Sequence, residues 1–132
     1  MCLSVYIGLD NKVSFEKSNN DFLKFENLTE NETPIKNKFS KKNVYYLGSD
    51  TGCSCGLTIE DTFNPIKDKS PQEFLKFLEK ITKIEDVELY SCWNGDWNDE
   101  IIENISLEMK DINLFDKYSI QEKIFFIVCN QQ

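Results

Sequence analysis

The chain contains no histidine and no arginine. Their absence excludes Ser/His/Asp and Cys/His nucleophilic machinery, a His-ligated zinc, and the two-pronged arginine clamp on phosphate or carboxylate. Asp, Glu, Lys, Tyr, Ser, Thr and thiols remain for chemistry. Positive charge is scarce as well: 15 lysines face 23 carboxylates, for a net charge of −8 and an isoelectric point near 4.6. That balance opposes attraction to phosphate backbones, so nucleic acid is not an expected partner. The one crowded run of lysines, Lys36, Lys38, Lys41 and Lys42 in "PIKNKFSKK", reads as a solvated loop.

No run reaches the roughly 18 apolar residues of a membrane span. The opening "MCLSVYIGLD" has no basic stretch and meets Asp10 too early for a signal peptide. The expected compartment is therefore the cytoplasm, with no membrane partner. Five cysteines at positions 2, 53, 55, 92 and 129 make a poor disulfide framework and are expected to be reduced there. Asn27, Asn31 and Asn104 head glycosylation-type triplets, which carry no meaning without export.

What is present suits one domain spanning residues 1–132. The hydrophobic content of 40%, with 10 phenylalanines, supplies a core without help from disulfides or metal. "CLSVYIG" alternates, placing Leu3, Val5 and Ile7 on one side and Cys2, Ser4 and Tyr6 on the other, the period of a half-buried strand. "DFLKFENL", "NVYYLG" and "GLTIEDTF" follow as further strand candidates, and "DVELYSCW", "ENISLEM" and "KIFFIVC" as later ones. The last is nearly all apolar and so is expected to be central or covered on both faces. The spacing of Phe74, Phe77, Leu78 and Ile81 predicts one amphipathic helix over residues 71–83, with Ser70 as cap and Pro71 at its first position. The expected fold is α+β: a single, predominantly antiparallel or mixed sheet of about five to seven strands, with that helix packed on a face.

Two segments carry the candidate sites. In "GSDTGCSCG", Cys53 and Cys55 stand one residue apart between Gly52 and Gly56. The plainest reading is a bulge or tight turn in which glycines bend the chain and cysteines fill small apolar space. A redox disulfide would need the backbone to fold, because extended residues two apart hold their Cα atoms roughly 6.6 to 6.8 Å apart. A zinc knuckle would need further ligands, from Cys92 and Cys2 above all, or from Cys129 or Asp50. In "NGDWNDE" the calcium-loop pattern fails, since Ile101 stands where its glycine belongs and Leu107 where its bidentate glutamate belongs. The segment reads instead as an acidic turn presenting Trp97, Asp96 and Asp99 to a partner, with Trp93 buried on the preceding strand.

"MCLSVYIGLD", "VYYLGSDTGCSCG" and "ELYSCWNGD" together resemble a group of short, uncharacterised bacterial proteins. The resemblance spans most of the chain and implies no activity; relatives carrying His in place of Asp50 weaken a metal role for that residue. Cys2 after Met1 also resembles the nucleophile of N-terminal-nucleophile amidohydrolases, which implies attack by its thiol with its own amine as base. Those enzymes stack two sheets between helices, against the single clear helix here. Two functions remain open: a small non-enzymatic protein that binds a protein or small ligand, in the manner of immunity proteins, and a thiolate site for zinc or redox work centred on Cys53 and Cys55.

Overall fold

Strands separated by turns and crossed by one long helix become a single mixed sheet in the computed structural model, which describes residues 3–57, 64, 66, 68–112 and 122–131. Among the described residues six strands run β1 (Leu3–Leu9), β2 (Leu23–Asn27), β3 (Asn43–Ser49), β4 (Val87–Trp93), β5 (Glu103–Leu107) and β6 (Ile124–Val128). Their order across the sheet is β2-β3-β1-β4-β6-β5. All neighbours are antiparallel except β5 and β6, which run parallel. Among the described residues three α-helices join them: α1 (Phe15–Ser18), α2 (Thr33–Lys36) and α3 (Lys69–Ile81). None of the described helices is long and apolar enough to cross a membrane. Of the proposed strand "GLTIEDTF", Gly56 and Leu57 belong to a 3₁₀ turn, and residues 58–63 lie outside the described part.

The first face of the sheet collects Val5, Ile7, Leu47, Leu89 and Phe126 under α3, which contributes Phe74 and Leu78. Phe77 and Ile81 only flank this core, half-buried. The helix also starts earlier than its sequence suggests. Asp68 occupies the cap position, while Ser70 is buried inside the first turn, where its hydroxyl accepts from the Asp50 N–H at 3.0 Å and donates to Asp50 Oδ1 at 3.2 Å. A side chain that reads as a local cap has been recruited by a loop twenty residues away.

The second face departs from the half-buried expectation for β1. Tyr6 is fully buried, and with Val44, Tyr90, Cys92 and Phe125 it forms a second core closed by Ile35 and Phe39. The lysine-rich segment is therefore not simply a solvated loop. Ile35 and Phe39, four residues apart, turn its apolar side onto the sheet, and two of its lysines bind at the margins. Lys38 Nζ donates to the Asp99 carbonyl at 2.7 Å, and Lys41 Nζ lies 2.9 Å from Asp10 Oδ2. Glu88 of β4 fixes the end of the segment by accepting from the N–H groups of Ser40 and Lys41 at 2.9 and 3.0 Å. Glu85 does the same for the loop after β1, accepting from the Asp10 and Asn11 N–H groups.

Candidate functional site

The glycine-cysteine segment is a reversal, and its buried residue is the serine. β3 stops at Ser49, whose hydroxyl donates to the Cys53 carbonyl at 2.6 Å and accepts from the Gly56 N–H at 3.2 Å. Gly52 takes a positive φ of 89°, a conformation that costs other L-residues strain. Gly56 sits so close to Ser49 that an added Cβ would fall 2.4 Å from its Oγ. The chain then winds through a 3₁₀ turn over Ser54–Leu57. Ser54 is 1% exposed; its hydroxyl accepts from the Val5 N–H at 2.9 Å and donates to the Leu47 carbonyl. Val5 and Leu47 face each other in register, so one hydroxyl stands between a donor and an acceptor of the β1–β3 pair. This corrects the expectation that the cysteines fill apolar space, since Cys53 is half-buried and Cys55 exposed.

Cys92 is fully buried in the second core. Burial, with the carboxylate of Asp96 nearby, pushes its thiol up to about 11, away from the thiolate that a metal requires. Among the described residues, no group of three or more Cys, Asp and Glu is assembled to hold a metal ion. Cys2, the fourth proposed ligand, lies outside the described residues, and Cys129 is half-buried.

Cys53 instead lines a cleft of about 420 Å³ on the second face. β1 supplies Ser4, β2 Glu26, β3 Tyr46, and the connection after β4 supplies Asn94 and Trp97. Tyr6 and Tyr46 face each other across β1 and β3 with rings edge-on at 5.7 Å. The Tyr46 hydroxyl accepts from the Ser54 N–H at 3.2 Å, tying the cleft wall to the reversal. On the opposite wall Glu32 is 8% exposed and fixed by three donors: the Tyr6 hydroxyl at 2.5 Å, and the Thr29 N–H and hydroxyl at 2.9 and 3.0 Å. The Thr29–Glu32 pairing is a capping box, a Thr-x-x-Glu pattern visible in the sequence. Its second use, holding a carboxylate over Tyr6, requires the fold.

The acidic turn only partly behaves as proposed. Trp97 and Trp93 are both half-buried rather than one exposed and one buried, because Trp97 packs against the second core. The Asp99 carboxylate is engaged by Lys123 at 3.0 Å. Asp96 is half-buried, its N–H bound to the Trp93 carbonyl at 2.9 Å. The Tyr90 hydroxyl is buried and meets no hydrogen-bond partner among the described residues, and the buried Trp97 indole N–H points toward the Tyr6 oxygen, where it opposes the rise of that phenol.

The thiol and phenols of this face give a pH dependence whose sign follows from linkage. Burial raises the phenols of Tyr6 and Tyr46 above their ordinary value and pushes Tyr90 up to about 12. Each group is neutral in the fold and ionises more readily when unfolded. Its contribution is therefore complete below the unfolded value, near pH 9 for the thiol and 10 for the phenols, and is lost as pH rises through the folded value. Cys92 alone accounts for about 3 kcal/mol of that loss. Urea midpoints should fall steeply between about pH 9 and pH 12, with Cys92 reacting with iodoacetamide only after unfolding. A flat profile across that range would contradict the burial of this cluster.

The chain matches no protein-family model, no curated protein and no solved structure.

Proposed function

We propose that the chain is a non-enzymatic binding protein whose second-face cleft receives a lysine side chain presented by a basic protein partner. The observation that carries this reading is the lining: Glu26, Glu32, Tyr46 and Trp97, with no lysine among the lining residues. Carboxylates attract an ammonium group, and aromatic faces add about 0.5 to 2 kcal/mol of cation–π attraction, depending on desolvation. Glu32 is suited to the task because three donors already hold it, so little ordering remains to be done on binding. The net charge of −8 steers a basic partner toward the cleft, chiefly through the association rate. Acidic immunity proteins docked on basic partners offer the nearest analogy, one of charge and not of fold.

A Trp93→Phe variant leaves Trp97 as the sole indole and turns its fluorescence into a reporter. Titration with a lysine-rich peptide should give a saturable change that weakens with added salt. Glu26→Gln should reduce the affinity several-fold, and a glutamate-rich peptide should give no response. Equal responses to the two peptides, or none to either, would defeat the reading.

A further inference from the structure

On the first face, a groove of about 370 Å³ runs between the segment around α1 and helix α3, and its charge is opposite to that of the cleft. Its floor is apolar, built from Leu9, Leu23, Phe77 and Ile81. Phe77 and Ile81 belong to the helix stripe that the sequence assigns to the core, yet both remain half-buried. Ile84 extends the apolar surface at the helix end, 61% exposed. Four lysines line the groove, Lys12, Lys17, Lys76 and Lys80, against one carboxylate, Glu73. Only Lys76 has a partner for its charge, Glu73 at 3.6 Å; Lys12, Lys17 and Lys80 have no ion-pair partner among the described residues. In a chain where carboxylates outnumber lysines by 23 to 15, a four-to-one excess of lysine around an apolar floor reverses the overall composition.

We propose that this groove binds a single-chain acyl carboxylate, with the hydrocarbon tail on the Phe77–Ile81 floor and the carboxylate among the lysine ammonium groups. Charge complementarity selects the anion: an apolar floor alone would accept any hydrocarbon, whereas unpaired ammonium groups favour a negative head and repel a cationic one. The size selects a small molecule. The volume lies within the range of small-ligand pockets, whereas a stable protein interface needs on the order of 1,000 Å² of buried surface. Lysine stems also lie along apolar surface while their heads reach water, which lets the same side chains flank the tail and meet the head group.

The test compares decanoate with decyltrimethylammonium, which shares the tail and inverts the charge, and with acetate, which lacks the tail. Titrations followed by amide chemical shifts should show decanoate binding one-to-one, below the concentration at which it forms micelles, with shifts centred on residues 9–23 and 73–84. The other two probes should bind at least about tenfold more weakly. A Lys17→Glu/Lys80→Glu variant, altered only at exposed positions, should melt like the parent protein and bind decanoate about tenfold more weakly or less. Three results would overturn the proposal: equal binding of decanoate and decyltrimethylammonium, unchanged affinity in a folded charge-reversal variant, or no binding of decanoate. In the last case, saturable binding of an acidic amphipathic peptide to the same residues would reassign the groove to a protein partner.

Discussion

Replacing Phe74 by alanine is expected to remove about 3 to 5 kcal/mol of folding stability, a large part of what a domain of this size possesses. Phe74 is fully buried in the core between α3 and the sheet, so its loss leaves a cavity that surrounding strands fill only in part. Phe77→Ala is the informative comparison. Its ring meets Phe25 at 4.8 Å but stays half-buried, so about 1 to 2 kcal/mol is expected. Urea unfolding of the two variants checks the pair. Equal losses would mean that the groove beside Phe77 is closed in solution.

Glu88→Ala is the second large effect, at about 2 to 4 kcal/mol, although no hydrophobic atom is lost from the core. Glu88 is 5% exposed, and its carboxylate accepts from two successive backbone N–H groups and from the Ser40 hydroxyl at 2.5 Å. Truncation leaves those donors unmatched in a partly buried site, which costs more than the net worth of the bonds themselves. Glu88→Gln keeps one oxygen for the two N–H groups and is expected to cost about 1 kcal/mol. Phe39 follows directly before Ser40, so Phe39→Ala and Glu88→Ala should be non-additive. Urea unfolding of both single variants and the double variant measures this, and strict additivity would show that Glu88 does not hold Phe39 in place.

The contrast between these two sites also marks what the sequence makes legible. Around Phe74 the signal is local: apolar residues recur at helical spacing, and the helix forms within two residues of where that spacing puts it. β6 reads as central or covered on both faces from its nearly unbroken apolar run, and it lies inside the sheet between β4 and β5. Around Glu88 the signal is distributed. Ile35 and Phe39 are two apolar residues in a lysine-rich segment, too few for an amphipathic pattern, and only the sheet beneath them reveals that they close a second core. The same distribution hides the cleft. Of its lining, sequence reasoning singles out Cys53 and Trp97 but misses Glu32, Tyr46 and Glu26, because nothing local distinguishes a capping glutamate or a strand tyrosine from any other. The helix start misleads for a related reason: Ser70 has the right chemistry for a cap, and Asp50 competes for it successfully.

The strand order has a consequence for how the chain comes into being on a ribosome. β1 precedes both of its neighbours in the sheet, β3 and β4, so one of its edges stays unpaired by them until residues 88–93 have been made. β5 is joined to the sheet through β6, and among the described strands it has no neighbour to dock against before residues 124–128 arrive. Pairings so distant along the chain are slow to close. The nascent chain therefore carries open strand edges until residues 124–128 have been made, an interval in which holdase chaperones most usefully intervene.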